Sequence, residues 1–380
     1  MKKKVFRYLG RSANKLDYYR FRFKQRTGLL GQPRILPFRG FGNDNTAILR
    51  GLVLEDKGQQ IIPESANSWH NASALFKRYI SSETPRVQLR AHFQGQHKTV
   101  QTDSEGYFYL SFKVNKLAKI TDPWESVRLE LLDKVTYNQG PIRATGEILL
   151  SGEDNSIGVI SDVDDTILVS RATNAYKKLR LMLFNNAQTR LPFEGVAAFY
   201  RALHRGYHQE RFTPIFYVSS SSWKLYDMLA DFCHVQNIPK GPLLLRDSRL
   251  DRFRFMASLH EGHKLAQVKT IMQMYPQKSF ILIGDSGQKD PEIYREVVYR
   301  YPERVKVIYI RDVCKPHRHE EIAAIAQELK SKTGVEMLLV KNTVEAAEHA
   351  ASHQWIEPDA LPEIRGEQLK DQEAEDLIEA

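Results

Sequence analysis

From Thr46 to about Leu150, apolar and polar positions alternate in short runs, AILRGLVLE, VQLRAHF, KTVQT, YFYLSFKV, VRLELL and ATGEILL, separated by polar or glycine-containing turns. A period of two sets one face of each run against a core, which predicts a small all-β unit. Its clearest hairpin is Thr102-Asp103-Ser104-Glu105-Gly106-Tyr107, where the Asp103 carboxylate can close a side-chain turn and Gly106 can take positive φ. After Gly158 the pattern changes. Short apolar runs, IGVIS, PIFYVS, PLLLR, FILIG and VKVIYI, alternate with helical stretches near 196–204, 223–233, 263–275 and 291–300. A strand-like GVEMLLV and further helices follow to about 352. Apolar strands spaced by helices predict a parallel sheet covered on both faces, with its chemistry at the carboxyl ends of the strands.

The expected domains are a basic segment over 1–45, a β-sandwich of immunoglobulin-like or transthyretin-like type over 46–152, an α/β domain over 153–352, and a loosely ordered acidic tail over 353–380. The 380 residues, 42% hydrophobic and 27% charged, leave room for two cores. The longest stretches free of Asp, Glu, Lys and Arg, Ser65 to Phe76 and Phe212 to Trp223, are twelve residues long. A spanning helix needs about 20 apolar positions. Arg7 and Arg11 interrupt the start of the chain before a secretory core can form. Cys233 and Cys314 are the two cysteines, which excludes a disulfide framework and a four-thiolate metal site and points to a reducing, cytoplasmic setting.

The net charge of +9 is localised. Residues 1–40 hold twelve Lys and Arg against the single acid Asp17, whereas the last forty carry eleven acids against Lys341, Arg365 and Lys370. Such a patch fits a polyanion, whether anionic lipid or nucleic acid, or else a solvated tail. Val5, Leu9, Ala13, Leu16, Tyr19 and Phe23 are spaced as on a helix, while Tyr19, Phe21 and Phe23 alternate as in a strand.

Candidate chemistry lies in the second pattern. Ser161-Asp162-Val163-Asp164-Asp165-Thr166 follows the first buried run, and Asp162 and Asp164, two apart, project to the same side. Gly284-Asp285-Ser286-Gly287-Gln288-Lys289-Asp290 follows the fourth. Two carboxylates about 4 Å apart repel by roughly 4 kcal/mol at an effective dielectric near 20, so several in one pocket require protonation or a cation. An all-oxygen set selects Mg²⁺ over zinc.

Taken in order, four motifs resemble those of the haloacid dehalogenase superfamily of aspartate-nucleophile phosphohydrolases: Asp162 to Thr166, Ser219 after Phe216-Tyr217-Val218, Lys264 in Gly262-His263-Lys264-Leu265, and Gly284-Asp285 with Asp290. The strings SDVDDTI, FYVSSSSWKLYDML, GPLLLR, FILIGDSGQKDPEIY and YPERVKVIYIRDV are similar to the catalytic domain shared by lipins and the fungal actin-patch phosphatidate phosphatase, over about residues 155–315. That resemblance implies a Rossmann-like sheet of the haloacid dehalogenase type. It also implies Mg²⁺-dependent hydrolysis of phosphatidate to diacylglycerol and phosphate. Asp162 would be the nucleophile, Asp164 the general acid and base, and Thr166 a residue fixing the loop. Ser219 and Lys264 would contact the phosphoryl group, and Asp162, Asp164 (through its carbonyl), Asp285 and Asp290 would serve the metal. Ser220 stands where many relatives carry asparagine in Ser-Asn-Ser-Pro, and with Arg246 it completes the substrate-binding candidates.

Each assignment has an ordinary structural counterpart. A serine ending a strand is more often a cap, a lysine on a helix is usually solvated, and Arg246 equally suits a surface ion pair. His260 and His263 lack metal-ligand partners and are expected to be structural or surface residues. The intervals that hold cap domains in the superfamily are short here, Val169 to Gly195 being under thirty residues, so no large cap is expected. An open site suits a membrane headgroup, a protein or a nucleic acid end. Tyr176 to Phe184 is basic and apolar together, as an interfacial or a core helix would be. The expected partner is phosphatidate or another anionic phospholipid, with peripheral attachment through the basic amino terminus and nucleic acid as the lesser choice. The competing readings are a cap-less phosphatase of nucleic acid ends or phosphoproteins, and a phosphatidate-binding module without turnover.

Overall fold

A computed structural model describes residues 21, 23–24, 26–56, 83–115, 123–152, 157–163, 195–207, 212–246, 259–313 and 316–379. Asp164, Asp165, Thr166, the 176–184 segment and most of the basic amino terminus lie outside these residues. The chain divides near Gly152 into two compact units.

The first unit is one eight-stranded sheet: β1 (Pro33–Pro37), β2 (Gly40–Gly42), β3 (Thr46–Glu55), β4 (Gln88–Phe93), β5 (Gln96–Gln101), β6 (Tyr107–Lys113), β7 (Trp124–Leu131) and β8 (Arg143–Leu150). Its order is β1-β3-β2-β8-β7-β4-β5 with β6 paired to β3, and the strands are antiparallel except for the β2–β8 pair. Alternation sets the register. In β6, Phe108, Leu110 and Phe112 enter the core beside Leu49, Val53, Leu89, Phe93, Val127 and Ile148, while Tyr109 stays half exposed. At the hairpin, Asp103 Oδ1 accepts from the Glu105 and Tyr107 amides at 2.7 and 3.1 Å. Gly106 has φ +80°, and a Cβ there would meet the Val53 carbonyl at 2.6 Å.

The basic segment is not separate over its whole expected length. Pro33 to Pro37 pair with β3 from Glu55 to Gly51, and Phe21, Leu30 and Ile35 lie in the core of this unit. The described residues at 21, 23, 24 and 26 are helical, with Phe21 buried and Phe23 exposed. Counting cations masked the apolar Ile35 and Phe21 among them.

The second unit carries β9 (Ile157–Asp162), α1 (Val196–Arg205), β10 (Ile215–Ser222), α2 (Tyr226–Val235), β11 (Leu243–Arg246), α3 (Leu259–Met274), β12 (Ser279–Asp285), α4 (Asp290–Arg300), β13 (Val305–Arg311), α5 (Pro316–Thr333), β14 (Glu336–Val340), α6 (Thr343–Ser352) and α7 (Leu361–Glu379). Six parallel strands run in the order β11-β10-β9-β12-β13-β14. The central strands are largely buried, with Val159, Ile160, Phe216, Leu282, Val307 and Ile308 almost wholly inaccessible. Successive strands are laid down first to one side of β9 and then, from β12 onward, to the other. The carboxyl ends of β9 and β12 therefore flank the point where the order reverses, the place at which open parallel sheets form a crevice.

The acidic tail, expected to be loose, is instead a helix that closes this unit. Ile356 and Ile364 are fully buried. Gly195, at the start of α1, offers no side chain as a cap, and Glu367 Oε2 accepts from the Ala198 amide at 3.0 Å in its place. Arg201 pairs with Glu363 at 2.8 Å and with Glu367, and Arg205 reaches Glu363 at 3.2 Å. The acids find a helix amino terminus and two arginines, which supplies the order that composition alone denied them. Ile364→Ala should therefore lower unfolding stability by about 2–5 kcal/mol in urea titrations followed by circular dichroism. Arg365→Ala, which breaks an exposed pair with Glu348, should cost less than about 1 kcal/mol.

Candidate active site

The site is assembled from two strand ends, one helix interior and one helix start. Asp162 closes β9 opposite Val218 of β10, and the Val163 amide donates to the Val218 carbonyl at 3.1 Å, holding the chain in line just past the carboxylate. Behind Asp162, Ser161 turns to the other face, where its hydroxyl donates to the Asp162 carbonyl at 3.0 Å and lies 2.5 Å from the Tyr200 hydroxyl of α1. Burial pushes the Tyr200 phenol up to about 12, so it stays neutral at the base of the strand end.

Asp285 closes β12. The turn after it folds back so that the Gln288 amide donates to Asp285 Oδ1 at 2.8 Å. The turn is held from outside: Ser286 donates its amide to the Arg311 carbonyl at 2.9 Å and accepts from the Val313 amide at 2.8 Å. Arg318 donates to the Gln288 carbonyl at 3.2 Å while paired with Glu292 at 2.7 Å. Asp290, the first residue of α4, is fully buried, and its Oδ2 accepts from the Asp285 amide at 3.1 Å. Gly284 makes that approach possible, since a Cβ there would stand 2.5 Å from Asp290 Oδ2.

Oxygens of Asp162, Asp285 and Asp290 lie within 4.8 Å of one another. Lys264 enters from α3, 2% exposed, with Nζ paired to Asp290 Oδ1, 2.9 Å from Asp162 Oδ1 and 3.4 Å from Gln288 Oε1. Three carboxylates against one ammonium leave the group net negative. Burial, followed by the charges of Asp290, Asp162 and Asp285, holds the phenol of Tyr294 well above its usual range; its hydroxyl donates to the Ile283 carbonyl at 2.8 Å. The donor set is hard oxygen throughout, so it suits a magnesium ion.

The structure thus brings Asp162, Asp285, Asp290 and Lys264 together. Ser219 and Ser220 stand on β10, just beyond the residue opposite Asp162; Ser219 is buried and its hydroxyl accepts from the Ser221 amide at 3.0 Å, a small turn of the capping kind. Arg246 ends the edge strand β11, two strands from Asp162 in the sheet order. His263 is buried against Gln267, which itself donates to the Leu244 carbonyl at 2.7 Å, a structural position as expected. Gln288 and Arg318 escaped the sequence reading. Gln288 stood inside the quoted fourth motif, whereas Arg318 lies in an unremarkable helix and carries no local signal.

This is a carboxylate and lysine centre at the switch point of a parallel sheet. Residues 157–312 match the family described as phosphatidate phosphatase APP1, catalytic domain. Phosphatidate phosphatase APP1 of Saccharomyces cerevisiae is 28% identical over 193 residues, 50% of this chain and 32% of that protein. An uncharacterized protein of Schizosaccharomyces pombe is 26% identical over 249 residues, 63% of this chain and 38% of that one. The chain thus spans between 32% and 38% of the length of these relatives. Among solved structures, a carbohydrate acetylesterase from Xanthomonas citri overlaps 77% of this chain and 73% of its own at 11% identity and a TM-score of 0.27, too low to bear on fold or chemistry.

Removing the buried ammonium leaves carboxylates facing one another, so Lys264→Met should lower stability by about 3–5 kcal/mol. A solvated helix lysine would give a change within about 0.5 kcal/mol. Added Mg²⁺ should raise the melting temperature of the variant more than that of the parent chain, as scanning calorimetry would show.

Proposed function

We propose that this chain is a magnesium-dependent phosphatidate phosphatase that hydrolyses a phosphomonoester lipid to diacylglycerol and phosphate. The observation that carries the reading is the convergence of Asp162 with Asp285, Asp290 and Lys264 at the end of β9, inside the segment that matches the phosphatidate phosphatase catalytic domain. The finer fold reading goes with it. The strand order supports a haloacid dehalogenase type of Rossmann-like unit, and the alternating, mutually buried faces of β3, β4, β6 and β7 support a β-sandwich before it.

In this reading Asp162 attacks the phosphorus, and the bond to the diacylglycerol oxygen breaks as the bond to the carboxylate forms. Asp164, which lies outside the described residues, protonates the departing oxygen and later takes a proton from the water that cleaves the aspartyl phosphate. Lys264 meets the negative charge spread over the phosphoryl oxygens, and Ser219 donates a hydrogen bond to one of them. Asp162 and Asp285 would hold Mg²⁺, with the Asp164 carbonyl, while Asp290, bound to Lys264 and to the Asp285 amide, fixes their geometry. When bound, the ion supplies positive charge that offsets repulsion between the phosphate and its anionic nucleophile. Thr166, Ser220 and Arg246 keep the supporting roles expected of them, in loop geometry and phosphate contact.

The basic amino terminus gives this enzyme a way to reach its substrate. No helix among the described residues is long and apolar enough to cross a membrane. Near an anionic leaflet each Lys or Arg contributes about 1 kcal/mol, so five engaged cations give about 5 kcal/mol, enough for reversible docking at a cytoplasmic surface. Because Phe21 is buried in the first unit and Lys24 pairs with Glu55 at 3.1 Å, the docking cations belong to the part of the segment before them.

Two measurements follow. Asp162→Asn should abolish phosphate release from phosphatidate vesicles while leaving vesicle binding intact. Full activity in that variant, or activity on 3′-phosphorylated oligonucleotides or phosphopeptides in place of phosphatidate, would overturn the assignment. Replacing Lys2, Lys3, Lys4, Arg7 and Arg11 by Gln should weaken sedimentation with anionic vesicles by more than about a thousandfold, the equivalent of 5 kcal/mol, and leave neutral vesicles unaffected. Unchanged sedimentation would exclude docking by this segment.

A further inference from the structure

A second group of metal-ligating side chains stands at the opposite end of the parallel sheet from Asp162. Glu336 opens β14, His349 lies in the last turn of α6, and His353 caps that helix four positions later. One ligand atom from each lies within 4.8 Å of the others. Glu336 Oε2 is 3.2 Å from His349 Nε2, and the two imidazole rings are 4.2 Å apart and tilted by 32°. Ligand atoms that share one tetrahedral ion at about 2.1 Å stand about 3.4 Å from each other, so the Glu336–His349 separation already has the required span.

The surroundings orient these ligands. The His349 carbonyl, which can only accept, lies 2.9 Å from His353 Nδ1; the proton therefore sits on Nδ1, and Nε2 keeps its lone pair. The Ser352 hydroxyl backs the same nitrogen at 3.1 Å. Nδ1 of His349 is held by the Tyr309 hydroxyl at 2.9 Å, which leaves Nε2 as the nitrogen facing Glu336. Hydrogen bonding at the second ring nitrogen is the support that metal-bound histidines ordinarily have. Lys330 takes the other oxygen of Glu336, Oε1, at 2.5 Å, and Trp355 stacks on the His353 ring at 4.9 Å and walls one side.

We propose that Glu336, His349 and His353 form a second cation site, selective for a borderline transition-metal ion such as Zn²⁺, that ties β14 to α6. Two imidazoles and one carboxylate distinguish it from the all-oxygen group at Asp162, because nitrogen donors favour zinc, nickel or cobalt over magnesium. Three protein ligands leave the fourth position to water. The site crosslinks the last strand of the sheet to the helix that follows it, remote from the phosphoryl chemistry.

The test is Zn²⁺ binding to the full chain by competition with a chelating dye, in excess Mg²⁺ so that the oxygen site is occupied. One zinc should bind per chain, and Co²⁺ in its place should give the visible absorption of a four-coordinate ion. His353 is exposed, so His353→Ala should keep its circular dichroism spectrum yet weaken Zn²⁺ binding by at least about tenfold; Glu336→Gln provides the independent second variant and should do the same. No saturable zinc binding by the intact chain, or a smaller loss in both variants, overturns the proposal.

Discussion

Like charges held together against their repulsion are the constraint around which the second unit is built. Asp162 comes from a segment far in sequence from the one that holds Asp285 and Asp290, and each pair at such range repels by several kcal/mol unless a cation intervenes. Lys264 supplies one positive charge from within the protein. The remainder of the arrangement resists the tendency of the carboxylates to separate: the bare Cα of Gly284 admits Asp290, the Asp285 amide binds it, and Arg318 pins the turn that carries Gln288. The cost of this arrangement in the resting protein is what favours, in the function proposed above, a divalent ion and a phosphate monoester as its ligands.

Much of this could be read in advance because strand chemistry is local. The runs ending in Asp162 and Asp285 are continuous and apolar, so their existence, their direction and the placing of carboxylates at their ends follow from short windows of sequence. Their convergence is a consequence of topology, since β9 and β12 become neighbours only when the strand order reverses between them. The burial of Lys264 was not legible from its helix. Its position carries no apolar signature of its own, and its meaning came only from the order of the motifs.

The errors fall where charge counting stood in for structure. Eleven acids in the last forty residues suggested a solvated tail, yet Ile356 before α7 and Ile364 on it are buried and anchor the segment. The same confusion set the boundary of the basic segment at residue 45, although Ile35 and its neighbours already form an edge strand of the first sheet. Net charge describes what a segment shows to solvent. It says little about the few apolar side chains that anchor it.

The helix cap that Glu367 provides for Ala198 has a consequence in time as well as in space. The chain leaves the ribosome from its amino terminus, and α1 emerges long before its capping partner, 169 residues further on, has been made. Until then the start of α1 lacks its acceptor and the surface later covered by Ile364 faces water. A nascent or prematurely terminated chain can therefore contain every residue of the carboxylate centre and still be an incomplete fold, exposed to proteases and chaperones. Only a chain whose synthesis has run past Glu367 can complete the cap of α1 and cover this surface.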